Sequence, residues 1–291
     1  MLKDQEKKII VTGGGGQLAQ CIAKQASAVT HYKFLFVQKK DLDITDAHAI
    51  DQLFVTFKPD FVINTAAYTQ VDRAEDEHEL AFAINSEGAK NLAQACKKYK
   101  ATLVHISTDY VFDGNSNTPY VEEDQPNPQT VYGKSKLAGE NEILDSELKA
   151  FYILRTSWLY SEFGQNFYKT MQRLAATRDK LAVVNDQQGC PTNANDLARG
   201  ILKIIADETR LDTGNTLYGI YNFANGGSTS WYGFARAIFN VKNIDVELSP
   251  VSSEAYPTRA KRPAFSMLDN NKFKNAFDFQ IPDWEKSLVN L

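Results

Sequence analysis

Short runs of four or five apolar residues recur along the first half of the chain, each separated from the next by a stretch with helical spacing. Lys8-Ile9-Ile10-Val11-Thr12, Phe34-Leu35-Phe36-Val37, Phe61-Val62-Ile63-Asn64, Leu103-Val104-His105-Ile106-Ser107 and Tyr152-Ile153-Leu154-Arg155 read as buried strands. Between them, residues 16–27 place Leu18, Ile22 and Ala26 on one side of a helix. Residues 46–57 follow Thr45, a capping residue, and end before Pro59. Residues 80–99 and the segment opening at Tyr132 are the next helices. Apolar strands alternating with helices predict an α/β fold: a doubly wound, Rossmann-like parallel sheet covered on both faces. Beyond Trp158 the pattern loosens into a helix over 167–177, a strand at Leu181-Ala182-Val183-Val184, a helix over 195–207, a strand over 219–223 and a helix over 230–240. The chain therefore divides into a large domain, residues 1–158, and a smaller, mainly C-terminal lobe, residues 159–291, with some segments returning to the large sheet.

Ligands of such sheets bind at the carboxyl ends of the strands, and four segments fall there: residues 13–18, 43–44, 64–72 and 107–109. Gly13-Gly14-Gly15-Gly16-Gln17-Leu18-Ala19 follows the first strand and opens the first helix. Glycines let the backbone turn tightly against a diphosphate, and the helix start supplies unpaired N–H donors. Gly13, Gly16, Gln17 and Leu18 are thus candidates for dinucleotide binding, with Ala19 small enough to replace the last glycine of the usual fingerprint. The second strand ends in Val37-Gln38-Lys39-Lys40. A carboxylate that would hold the ribose hydroxyls of NADH is missing at Gln38, and two lysines follow, which tilts the cofactor towards NADPH. Asp43 and Ile44 are placed to frame the adenine. Small residues at Thr65, Ala66 and Ala67, before Tyr68, leave room for a cofactor to pass. The charged group Asp72, Arg73, Glu75, Asp76 and Glu77 reads as a solvated helix start.

Tyr132 and Lys136 are four apart, on one helical face. A cation beside a phenol favours the phenolate and lowers its pKa, which makes Tyr132 a general acid suited to neutral pH. Thr108, at the end of the fourth strand, supplies a hydroxyl that would orient the carbonyl being protonated. Arg259, Lys261 and Arg262, in a loop between Pro257 and Pro263, suit an anionic substrate, since arginine clasps phosphate oxygens in a fork.

Composition narrows the rest. Of 291 residues, 43% are hydrophobic and 23% charged, ordinary for a globular protein. The net charge of -4 argues against a nucleic-acid partner. No apolar run approaches the ~20 residues that span a bilayer, and the charged stretch Met1-Leu2-Lys3-Asp4-Gln5-Glu6-Lys7-Lys8 lacks a signal-peptide core, so a cytoplasmic location is expected. Cys21, Cys96 and Cys190 are far apart and read as small buried apolar residues. His31, His48, His78 and His105 show no ligand spacing, and no metal site is expected.

Together, residues 13–19, Asn64-Thr65-Ala66-Ala67, Ser107-Thr108 and Tyr132-x-x-x-Lys136 resemble the extended short-chain dehydrogenase/reductase family. Longer strings narrow this: Ala67-Tyr68-Thr69-Gln70-Val71-Asp72-Arg73-Ala74-Glu75, Ser107-Thr108-Asp109-Tyr110-Val111-Phe112-Asp113-Gly114, Arg155-Thr156-Ser157-Trp158 and Asn185-Asp186-Gln187-Gln188-Gly189-Cys190-Pro191-Thr192 are similar to the dTDP-4-dehydrorhamnose reductase branch. The resemblance implies NADPH- or NADH-dependent reduction of the 4-keto group of dTDP-4-dehydro-β-L-rhamnose to dTDP-L-rhamnose. It implies Thr108, Tyr132 and Lys136 as the catalytic set, with Tyr132 and Lys136 also at the cofactor, where Lys136 holds the nicotinamide ribose, and Gly16, Gln17 and Leu18 at the diphosphate. Asp43 and Ile44 would sit at the adenine, Ala66, Ala67 and Tyr68 along the cofactor channel, and Ile106 beside the nicotinamide half. Asp109 and Trp158 would contact the deoxysugar, with Arg259 and Arg262 on the substrate's anionic part. Some members of the branch dimerise around magnesium held by carboxylates near the first helix. Ala19-Gln20-Cys21-Ile22 offers none, so that metal is not carried over, and a monomer or a homodimer is expected. Two alternatives share the pattern: a reductase of another nucleotide-linked 4-keto-6-deoxysugar, and a non-catalytic subunit resembling the regulatory subunit of methionine adenosyltransferase.

Overall fold

The computed structural model describes residues 6–27, 32–208 and 217–291; His31 and the first five residues lie outside them. Six strands form one parallel sheet: β1 (Lys7–Thr12), β2 (Tyr32–Val37), β3 (Phe61–Asn64), β4 (Thr102–Thr108), β5 (Phe151–Thr156) and β6 (Gly219–Asn222). Their order is β6-β5-β4-β3-β1-β2, with every pairing parallel. The chain runs outward from β1 to β2, then returns to the other side of β1 as β3. That reversal opens a crevice at the carboxyl ends of β1 and β3.

Side chains alternate across the sheet, and the two faces bury different helices. Ile9, Val11, Ile63, Val104 and Leu154 pack with Leu18 and Ile22 of helix Gln17–Ala26, and with Leu197 and Ile201 of helix Ala194–Glu208. Ile10, Val62, Leu103 and Ile153 pack with Ile50 and Phe54 of helix Ala47–Phe57, Leu92 of helix Gly88–Tyr99, and Ile143 of helix Val131–Asp145. A third core holds the smaller lobe, from Tyr160, Tyr168, Phe234 and Trp284, together with Val111, Phe112 and Tyr120 from the first half of the chain. Segments on both sides of residue 158 thus contribute to each part.

Several local expectations change. Asp46, not Thr45, caps helix Ala47–Phe57, accepting from the amides of His48 and Ala49. The Thr45 hydroxyl donates instead to Asp43 Oδ1 (2.8 Å). The helix expected over 80–99 begins at His78 and passes through a π turn, Ala83–Glu87, before Gly88–Tyr99. Strand Lys180–Val184 stays out of the large sheet and pairs in parallel with Glu247–Val251. That partner strand went unrecognised because its apolar positions are sparse and Pro250 interrupts it.

A buried polar cluster sits at the carboxyl end of the sheet. Parallel register sets Ser107 opposite Arg155. The Arg155 guanidinium donates to both Glu140 oxygens, Nε to Oε1 at 3.0 Å and Nη2 to Oε2 at 2.7 Å, and the Ser107 hydroxyl donates to Oε1. Both charged side chains are at most 2% exposed. Removing one member of such a pair strands the other charge. Arg155→Met is expected to destabilise the fold by about 3–5 kcal/mol, read as a lowered urea midpoint; an unchanged midpoint would mean that Glu140 finds another partner.

Candidate active site

The glycine turn lies in the crevice. Gly13 has φ +66°, and a Cβ there would come within 2.8 Å of the Ala66 amide nitrogen, so only glycine lets β1 pass this close to the segment after β3. The Gly14 amide donates to the Val37 carbonyl and the Gly16 amide to the Gly13 carbonyl. Helix Gln17–Ala26 then opens with no side-chain cap and no acidic residue in its first turn. Its first amides are left for an anion, and the dipole favours negative charge there. These residues fit a dinucleotide diphosphate. The Gln17 side chain turns the other way, donating to the Leu159 carbonyl (3.2 Å) and accepting from Asn166.

Helix Val131–Asp145 presents Tyr132 and Lys136 at the same end of the sheet. Thr130 caps it, accepting from the Gly133 amide at 3.0 Å. A Cβ at Gly133 would run into the Tyr110 carbonyl, so this turn seats directly on the segment after β4. The Tyr132 ring meets the edge of Tyr110, with centroids 5.5 Å apart. Lys136 is 2% exposed. Its Nζ donates to the Ile106 carbonyl (2.6 Å) and lies 3.3 Å from His105 Nε2. Burial pulls its pKa down to about 8, and Glu140, one turn on, pushes it back up. Burial also raises the Tyr132 phenol well above its ordinary value; Thr108 draws it down, while Asp109 and Tyr110 push it further up. The expected lowering by Lys136 is therefore not seen, because the ammonium is directed at Ile106 and His105 and burial dominates.

Thr108 and Asp109 stand beside this pair. The Thr108 hydroxyl donates to Asp109 Oδ1 (2.9 Å). Asp109 Oδ2 is buried with no hydrogen-bond partner, and burial raises the carboxyl pKa to about 7. The Thr108 and Ser266 hydroxyls pull the other way, Ser266 from outside hydrogen-bond geometry.

Other expected residues are engaged within the protein. Arg259 pairs with Asp76 (2.7 Å), and Arg262 with Asp72 and the Tyr110 hydroxyl (3.0 Å). The charged group at 72–77 is therefore a wall rather than a solvated helix start: Asp72 also accepts from the Ala260 amide, Glu75 from the Val131 amide, and Glu77 from Tyr68 and Arg73. One face of Trp158 is covered by Trp231, stacked at 3.6 Å, which leaves less of the ring for a sugar than expected. Ile44 is buried in the core, and its carbonyl accepts from Asn91. Asp43 accepts from Thr45 and lies 3.9 Å from Lys39. Gln38 anchors its loop, donating its amide to Asp41. Ala66, Ala67 and Ile106 are half-buried along the crevice side, and the buried Tyr68 is held by Asn85.

The sequence model of the RmlD substrate binding domain matches residues 7–291. A dTDP-4-dehydrorhamnose reductase of Aggregatibacter actinomycetemcomitans is 41% identical over 98% of both chains. The chain belongs to the RmlD substrate-binding family. A solved dTDP-4-dehydrorhamnose reductase from Clostridium acetobutylicum is 43% identical, with a TM-score of 0.91 over 97% of both chains. One from Bacillus anthracis, solved in complex with NADP, is 40% identical, with a TM-score of 0.92 over 98% of both.

In this RmlD-family chain, sequence reasoning missed a second set of buried polar residues. Thr12, Asn64 and His105 occupy matching positions on β1, β3 and β4 and lead to Lys136. The signal was present as three polar residues on one face of three apolar strands, each two residues beyond a core position, but no local pattern says that those strands are neighbours. The raised Asp109 carboxyl has a measurable consequence in the free protein. Its charge is disfavoured in the fold, so the cost grows from about pH 4, where the unfolded group ionises, and levels off above about pH 7, where the folded group ionises too. Asp109→Asn is expected to stabilise the protein by up to about 4 kcal/mol at pH 8, and hardly at all at pH 4. Urea unfolding at the two pH values checks this; an equal effect at both would count against a raised carboxyl.

Proposed function

We propose that this protein is an NADPH-dependent reductase that converts the 4-keto group of dTDP-4-dehydro-β-L-rhamnose to the alcohol of dTDP-L-rhamnose. Identity of about 40% across almost the whole length of dTDP-4-dehydrorhamnose reductases carries the reading, one of them solved with NADP. The crevice supports it with a glycine turn suited to a diphosphate and a phenol, a hydroxyl and a buried ammonium gathered at one sheet end. When bound, the cofactor supplies a hydride, two electrons and one proton's worth of mass, to the C4 carbonyl carbon. Tyr132 gives its phenolic proton to the carbonyl oxygen and is re-protonated from solvent. Because burial holds the phenol pKa high, the transient phenolate needs a cation, and we assign that role to Lys136, one turn on along the helix, whose ammonium in the free protein is directed at Ile106 and His105. Thr108 orients the carbonyl. Asp109, with its unpaired oxygen, accepts from a sugar hydroxyl.

We assign residues 1–158 mainly to the cofactor and 159–291 mainly to the substrate, with Ala194–Glu208 and Gly219–Asn222 returned to the large domain. Exposed Lys39 and Lys40 after β2 support NADPH over NADH. The three free, buried cysteines support a reducing, cytoplasmic compartment. The test is loss of nicotinamide absorbance with dTDP-4-dehydro-L-rhamnose. Substrate-dependent oxidation, faster with NADPH than with NADH and giving dTDP-L-rhamnose, is expected. Folded protein that binds the cofactor yet turns over neither would overturn the proposal.

A further inference from the structure

Parallel register places Thr12 opposite Asn64 and Asn64 opposite His105. All three side chains point to the face that carries helix Val131–Asp145, one pleat beyond Ile10, Val62 and Leu103. Each is at most 2% exposed. The contacts are continuous: Thr12 Oγ1 to Asn64 Oδ1 at 2.6 Å, Asn64 Nδ2 to His105 Nδ1 at 3.0 Å, and His105 Nε2 to Lys136 Nζ at 3.3 Å.

The hydrogen-bond inventory allows this row two polarities. An ammonium on Lys136 has only donors, so His105 Nε2 must accept from it. The ring proton then sits on Nδ1 and is donated to the Asn64 amide oxygen, and the amide NH₂ turns to Thr12. A neutral Lys136 amine reverses the row. The Thr12 hydroxyl then donates to the amide oxygen, the amide NH₂ to His105 Nδ1, and the ring Nε2–H to the Lys136 lone pair. Neither state charges the imidazole.

We propose that His105, backed by Asn64 and Thr12, is the positioning residue for Lys136: as a neutral ring it accepts from the ammonium, fixes its direction together with the Ile106 carbonyl, and reverses its tautomer when Lys136 loses its proton. The proposal rests on Lys136 being the functional cation of the reaction above. The surroundings suit it. Burial and the nearby ammonium push the His105 pKa well below its usual range, so the ring does not compete as a second cation. Glu140 faces Lys136 from its own helix, but it is already held by Arg155 and Ser107. Tyr132 lies one turn back on that helix, with Asp109 acting on it from the end of β4. The β1 and β3 side presents only the uncharged Thr12 and Asn64. His105 is thus the side chain through which the sheet reaches the lysine without adding charge.

Nitrogen-15 NMR of histidine-labelled protein, without substrate, reads the row directly, with the His105 signal assigned by its loss in His105→Gln. At pH 7 the ring is expected as the neutral Nδ1–H tautomer, still unprotonated at pH 5, and as the Nε2–H tautomer once Lys136 titrates. An imidazolium or an Nε2–H ring at pH 7, or a tautomer unchanged through pH 10, would overturn the proposal. Two variants add a kinetic reading. The His105→Gln side chain reaches the Nε2 position with an acceptor; the His105→Asn side chain is too short. Losing a hydrogen bond to a charged group should move the alkaline limb of kcat/KM down by about one pH unit in His105→Asn, while His105→Gln keeps it in place. Equal limbs in both variants would mean that the ring only fills space. If neither variant folds, the wild-type tautomer decides, with the His105 signal assigned by elimination from the variants His31→Gln, His48→Gln and His78→Gln. If no substrate is turned over while the tautomer reverses as expected, the row stands and the functional reading falls.

Discussion

Tyr132→Phe is expected to lower kcat by about 10²–10⁴-fold, the usual contribution of a positioned general acid, while NADPH still binds. The substitution removes one oxygen and leaves the ring, so the edge contact with Tyr110 and the helix start capped by Thr130 persist. The loss should therefore appear in turnover and not in folding. The wild-type phenol is strongly disposed to keep its proton, because burial raises its pKa and Asp109 and Tyr110 push in the same direction. That makes it protonated across the working range and ready to donate, and it makes the phenolate costly unless a cation is at hand. Measuring kcat by NADPH oxidation, alongside a fluorescence titration of NADPH, separates the two roles. Turnover within a few-fold of wild type would remove Tyr132 from the acid's place and shift attention to Asp109, whose carboxyl carries a proton below about pH 7.

Lys136→Met is expected to lower kcat/KM by about 10²–10³-fold, as for loss of one fixed donor at a developing negative charge, and to abolish the alkaline limb of the pH–rate profile. With a pKa near 8, the lysine is charged below that pH and neutral above it, so activity that needs the cation falls as pH rises through about 8. Tyr132 contributes no limb there, since its own pKa is raised. The residual activity of Lys136→Met should lack the limb near pH 8. A limb that survives in Lys136→Met would belong to another group, and the cation's role would have to be withdrawn.

Much of this site is legible in the sequence because its parts are local. The turn at Gly13–Gly16 announces itself by composition and by the strand and helix that flank it. Tyr132 and Lys136 share a face because a helix repeats every 3.6 residues. Other readings are incomplete where a residue's partner is remote. Arg259 and Arg262 look free for a substrate phosphate until the fold brings Asp76 and Asp72, more than 180 residues earlier, against them. Trp158 looks available for a sugar until Trp231 stacks on it. Helix capping illustrates the same limit at short range: Thr45 and Asp46 are both capping residues, and only the backbone geometry gives the cap to Asp46.

What the sequence by itself determined is the alternation of strands and helices, the sheet end at which the glycine turn and Thr108 gather, and the Tyr132–Lys136 pair. Each follows from periodicity or from contacts within a few residues. Only the tertiary structure decided that residues 219–222 return to the large sheet beside β5, and that Glu140 is locked to Arg155 and Ser107. It alone decided that Thr12, Asn64 and His105 form one row behind Lys136. The reason is physical: a parallel sheet joins strands through crossovers, so which residues face each other depends on strand order and register. Those are set by how both faces of the whole sheet are buried, not by any stretch of chain read alone.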